Sequence, residues 1–138
     1  MIRIAVRYDP EKRGWDKFGG GHFGASRGSR THKGIDYAAP VGSVVLAPVG
    51  GVVTKIGYPY ADDTSYRYVE ITSGRDRRHR VFYVLPLRLQ VGDEVGVGDP
   101  IGTAQDLEPR YPGITPHIHY EVMTASGSFL NPEGVGSV

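Results

Sequence analysis

Four side chains in two short segments carry the donor types of a hydrolytic metal site. His32 and Asp36 stand four apart in THKGIDY, and His117 and His119 bracket Ile118 near the C-terminus. Two imidazoles and one carboxylate, here His32, Asp36 and His119, suffice for a catalytic zinc, which keeps a further position open for water. In an extended segment residues i and i+2 share a face. His117 and His119 therefore project together while Ile118 points into packing, so one imidazole can bind metal while its neighbour handles protons. Each piece alone has a plainer reading. A His-x-His can be incidental, and His32 with Asp36 could be a turn histidine and a capping aspartate. Together they hold four of the five residues such a site needs. Gly34, between the first two, lets the backbone turn.

The composition narrows the chemistry. The chain has 138 residues, a length that suits one domain with one core. It has no cysteine, so thiolate sites and disulfides are excluded and any metal must use His, Asp or Glu. A net charge of +1 argues against nucleic acid or an anionic membrane as partner. No run approaches the length of a membrane span. No apolar stretch follows Arg3 and Arg7, so no secretory signal is read. The expectation is a protein that stays where it is made, leaves by another route, or is a mature fragment.

The elements that must position these residues read as strands. Twenty glycines and ten prolines punctuate short runs rich in Val, Ile and Tyr, which is an all-β pattern. Candidate strands are Ile2–Arg7, Ser43–Ala47, Gly51–Ile56, Arg67–Thr72, Arg80–Leu85, Ile101–Ala104 and His117–Met123. A further strand enters the core from Ile35 through Ala39. No stretch keeps apolar spacing at 3.6 over three turns, so no long helix is expected. The expected architecture is a compact β-sandwich or barrel-sandwich hybrid of short antiparallel strands, with long loops around a zinc groove. One domain spans 1–138, with an N-terminal strand and loop to residue 22 and a tail from residue 124.

Trp15–Thr31 reads as a loop that contains His22, and Tyr58–Ser65 as a second loop able to line a groove. Arg75–Arg80 reads as a solvated basic hairpin tip carrying His79. Val91-Gly92-Asp93-Glu94-Val95-Gly96 is repeated at once as Val97-Gly98-Asp99-Pro100-Ile101-Gly102, and Pro40-Val41-Gly42 looks like a related turn. This internal similarity fits a sandwich of two like halves. The same repeat is similar to the turns of biotinyl- and lipoyl-carrier domains. However, Lys33 and Lys55 lack the methionine-flanked context of a carrier lysine.

THKGIDYAAPVGSVVLAPVGGVV resembles the H-x-G-x-D segment and following hairpin of lysostaphin/LytM-type zinc metallopeptidases. PHIHYEV is similar to their H-x-H strand, and VGDEVGVGDPIGT to the turn between them. The resemblance covers roughly Phe23 to Met123. It implies one zinc ion held by His32, Asp36 and His119, with His117 as a catalytic histidine. It also implies action on peptide cross-links of bacterial peptidoglycan. Such a chain without a signal would be phage- or virion-associated, or delivered to the wall by an injection machine.

One position departs from that pattern. The family's Y-x-H-L strand reads Tyr83-Val84-Leu85-Pro86 here, so Leu85 stands where a second catalytic histidine belongs. Leucine neither donates a hydrogen bond nor carries a proton. His79 has the parity to reach the same face of an unbroken strand, but lies about 20 Å away along it. FYVLPL and YPGITPHIH are similar to the leukocyte cell-derived chemotaxin branch of this fold, which keeps the zinc ligands and lacks that histidine. The resemblance therefore implies either a weakened peptidase or a zinc-containing module that binds a peptide ligand. Tyr58, Tyr60 and Tyr111 are the candidates for ligand contact. The oligomeric state is not set by the sequence.

Overall fold

The computed structural model describes residues 5, 6, 11, 12, 24–27, 30–74 and 76–132. Among these described residues fourteen strands run in chain order: β1 (Ala5–Val6), β2 (Glu11–Lys12), β3 (Ser26–Arg27), β4 (Arg30–Thr31), β5 (Ile35–Ala38), β6 (Val44–Leu46), β7 (Gly51–Gly57), β8 (Tyr68–Ser73), β9 (Arg77–Phe82), β10 (Val84–Pro86), β11 (Glu94–Val95), β12 (Pro100–Ala104), β13 (His117–Met123) and β14 (Phe129–Leu130). No long helix occurs among the described residues, as expected.

Two antiparallel sheets form the sandwich. The larger has the order β11-β7-β8-β9-β13-β5-β2, with β14 also paired to β13; the smaller is β1-β6-β12-β10. Alternation along the strands builds the core between them. Ile35 and Tyr37 of β5, Val69 and Ile71 of β8, and Ile118, Tyr120 and Val122 of β13 are buried inward. They meet Val45, Ala47, Val84, Ile101 and Ala104 from the smaller sheet side. The odd-numbered residues of β13 are thereby directed to the opposite face of the larger sheet.

The internal repeat has a common geometry. Gly42, Gly92 and Gly98 all have φ between 83° and 100°, a conformation that favours glycine. Each donates its N–H to a neighbouring strand or turn: Gly42 to Ala104, Gly92 to Val53 and Gly98 to Ala47. Asp93 and Asp99 each accept a backbone N–H three residues earlier, from Gln90 and Gly96. The lysines of the carrier alternative are placed elsewhere. Lys55 lies inside β7 with its ammonium near the Tyr68 ring, and the Lys33 ammonium is near Phe129.

Three expectations need correction. Much of the presumed loop before His32 lies outside the described residues, but Ser26–Arg27 and Arg30–Thr31 pair as a short hairpin. The basic tip is shorter than read, because Arg77–Arg80 belongs to β9 and His79 is 1% exposed. The expected strand Arg80–Leu85 is broken at Tyr83, where φ is 70°. The N–H groups of Tyr83 and Val84 both turn to the carbonyl of Arg67, and the chain passes from β9 of the larger sheet to β10 of the smaller.

Candidate metal centre

The site is assembled by strand pairing. β13 pairs antiparallel with β5 so that His119 lies directly opposite Asp36 and His117 opposite Ala38. His32 arrives from the bend before β5. Gly34 makes this approach possible: a Cβ there would sit 2.2 Å from the Tyr120 carbonyl oxygen and 3.0 Å from His119 Cε1. Its need for glycine is therefore room against β13 and not only freedom to turn.

Three donor atoms converge. His119 Nδ1 is 2.9 Å from Asp36 Oδ1 and 2.9 Å from His32 Nε2, and His32 Nε2 is 3.1 Å from Asp36 Oδ1. His32 and Asp36 are buried, and His119 is nearly so. Ligand atoms on a tetrahedral zinc lie about 3.4 Å apart. The set therefore fits zinc after shifts of a few tenths of an ångström, and its nitrogen and oxygen donors suit that ion. Burial alone would raise the Asp36 carboxyl. Hydrogen bonds to His119 and His32, with the charges of His119 and His117, hold it well below the usual carboxylate range. Burial works against a charged His119, yet hydrogen bonds to Asp36 and Glu121 push it up to about 9.

His117 stands beside this triangle. Its Nδ1 donates to the Thr115 carbonyl at 2.7 Å, and its Nε2 is 3.5 Å from Asp36 Oδ2. The Tyr83 ring meets it edge to face, with centroids 5.6 Å apart.

The tyrosine candidates separate into two groups. Tyr60 is hydrogen-bonded through its hydroxyl to Tyr83 and to Tyr111, each at 2.8 Å. These rings pack around Tyr66, Leu107 and Ile114, and the Arg110 guanidinium lies 3.7 Å over Tyr60. Burial and neighbouring hydroxyls raise the Tyr60 phenol, and burial raises Tyr83 to about 12, so both are protonated at neutral pH. Tyr58 is half exposed and carries the Arg67 guanidinium 4.6 Å over its ring.

Leu85 occupies β10, opposite Thr103, and is 51% exposed. His79 takes no part in the site. It faces the core, hydrogen-bonded to the Tyr120 hydroxyl at 2.7 Å and to Ser73 at 3.1 Å. The parity argument for His79 fails because Phe82, opposite His119, marks the site face of β9, and odd positions point inward. His22 lies outside the described residues.

Sequence reasoning missed two contacts of His119. Its Nε2 is 2.9 Å from Glu121 Oε1, and its ring meets Phe82 edge to face at 5.1 Å. Glu121 was within reach of the same alternation, since it continues the face of His117 and His119.

The model of peptidase family M23 matches residues 30–132. Leukocyte cell-derived chemotaxin-2 of Mus musculus is 33% identical over 117 residues, covering 85% of this chain and 76% of that protein. The peptidoglycan DD-endopeptidase ShyC of Vibrio cholerae is 32% identical over 106 residues, which are 77% of this chain and 23% of that protein. Among solved structures, a mutant catalytic domain of the prophage-encoded M23 protein EnpA from Enterococcus faecalis superposes with a TM-score of 0.68 at 21% identity. That match covers 99% of this chain and 98% of the other. A zinc-containing peptidase from Vibrio cholerae gives 0.67 at 23% identity, covering 99% of this chain and 41% of that one. With a family model spanning both halves of the donor set, the chain belongs to peptidase family M23.

Proposed function

We propose that the chain is a zinc-dependent endopeptidase-like domain acting on peptide cross-links of bacterial peptidoglycan, with a weakened mechanism. The observation that carries this reading is the convergence of His32 Nε2, Asp36 Oδ1 and His119 Nδ1 within 3.1 Å of one another, with His117 alongside. Its relatives include peptidoglycan DD-endopeptidases. Zinc, when bound, supplies Lewis acidity that brings the pKa of water toward neutrality and polarises a carbonyl.

The chain's own residues supply the proton chemistry. His117 donates from Nδ1 to Thr115, so in its neutral form Nε2 is the basic nitrogen turned to the Asp36 side of the site. His117 takes a proton from the attacking water and returns it to the leaving amine. With Leu85 in place of a second histidine, that work is not shared. Tyr60, Tyr83 and Tyr111 form the wall against which a peptide would lie.

Leu85, which cannot carry a proton, favours a second reading, a zinc-containing recognition module that does not cut, in keeping with the similarity to the chemotaxin. A digest of purified peptidoglycan, paired with zinc per chain, separates the two. Release of peptide by the wild type, abolished in His117→Ala while zinc is retained, supports the peptidase. Zinc retained with no release supports the module. Zinc absent from the wild type, or unchanged in His32→Ala, overturns both.

A further inference from the structure

A row of charged side chains crosses the larger sheet behind the donor triangle. Glu121 of β13 lies directly opposite Arg80 of β9, which lies opposite Glu70 of β8. Arg80 Nε donates to Glu70 Oε2 at 2.7 Å, and its terminal nitrogen is 3.8 Å from Glu121 Oε2. The bulge in β7 between Val53 and Lys55 brings Thr54 into the same row, where its hydroxyl donates to Glu70 Oε1 at 2.8 Å. The other Glu121 oxygen, Oε1, is 2.9 Å from His119 Nε2. Glu70 and Glu121 are both buried, 6% and 7% exposed, so neither is a loose surface acid.

We propose that Glu121, braced by Arg80 and Glu70, is a positioning residue that fixes the proton of His119 on Nε2 and so presents Nδ1 to the metal. An ionised carboxylate only accepts, so the His119 nitrogen facing it must be the N–H. The remaining nitrogen is the one 2.9 Å from both Asp36 and His32. A carboxylate on the outer nitrogen of a ligating histidine sets its ring orientation and raises its basicity. The Arg80 guanidinium lies 3.8 Å from the second oxygen and is itself hydrogen-bonded to Glu70, so the carboxylate belongs to a charged row that spans three strands. Phe82, edge-on to His119, limits rotation of the ring.

The proposal rests on the zinc reading, and its test separates the two. Zinc affinity is measured on the full chain by competition with a chelating dye for wild type, Glu121→Gln and Glu121→Ala. The side-chain N–H of His119 is followed by ¹H–¹⁵N spectroscopy in the zinc-loaded chain. Glu121→Ala should lose about 10–100-fold in affinity, and the Nε2–H signal should vanish by exchange. Glu121→Gln, whose amide oxygen still accepts, should keep the signal and lose less than Glu121→Ala. If the alanine variant does not fold, the glutamine variant decides: a lost Nε2–H signal overturns the proposal, and a retained one supports it. Wild-type affinity in Glu121→Ala with the signal retained overturns the positioning role alone. A wild type that binds no zinc overturns the metal reading and this role with it.

Discussion

Gly34 and Tyr120 are in such close approach that a single added carbon on Gly34 would lie 2.2 Å from the Tyr120 carbonyl oxygen. The contact joins the turn that presents His32 to the strand that presents His119. It sets the distance between the two halves of the donor set.

Gly34→Ala is therefore expected to spread those halves. Relieving such an overlap costs typically about 1–3 kcal/mol of stability. Zinc affinity should fall by about tenfold or more, since small misplacements of supporting groups have effects of that size. Chelator competition and a thermal melt of the same sample check both effects. A variant that binds zinc as the wild type does would show that the turn adjusts freely.

Leu85→His restores a proton-carrying group at a position that tolerates it. Leu85 is half exposed, so the substitution should change stability by no more than about 0.5 kcal/mol. A positioned acid or base is worth about 10²–10⁴ in rate. If the chain is a weakened peptidase, peptidoglycan hydrolysis should rise by about 10²-fold or more. An unchanged rate, with zinc bound, points to the recognition module.

His79 makes stability depend on pH. Burial, and then the charge of Arg77, push its pKa down to about 4, below the usual value of about 6.5. The unfolded chain thus takes up a proton that the folded chain refuses. The contribution is constant above about pH 6.5, falls away between about 6.5 and 4, and levels off below. The loss is on the order of 3 kcal/mol. Denaturant midpoints across that range should decline in the wild type and flatten in His79→Gln. Parallel curves would assign the acid sensitivity to other groups.

Tyr83→Phe keeps the ring against His117 and removes the hydroxyl that meets Tyr60. Tyr60 retains its bond to Tyr111, so the cost should be about 1 kcal/mol. Zinc affinity should not move. A loss of zinc in this variant would tie the tyrosine cluster to the metal site more directly than the ring contact does.

The donor set was legible because His32, Asp36 and His119 carry the chemistry in their residue types, and strand alternation places His117 and His119 on one face. The strands around Val45, Val53, Val69 and Ile118 were legible from short β-branched runs between glycines. What was not legible depends on pairing between distant segments. His79 looked solvated because arginines surround it in sequence, while its burial comes from Tyr120, forty-one residues away. The role of Glu121 needs Arg80 opposite it, which the register of β13 and β9 decides. The break at Tyr83 had no glycine to announce it.

That break has a mechanical consequence. β9 and β10 are one residue apart in the chain yet belong to different sheets, so Tyr83 is one of the corners at which the chain passes from one layer to the other. The same residue presses its ring on His117. A crossing between the two sheets and the ring that backs His117 are therefore the same residue, so a change of strain at this corner would reach His117 through a single side chain.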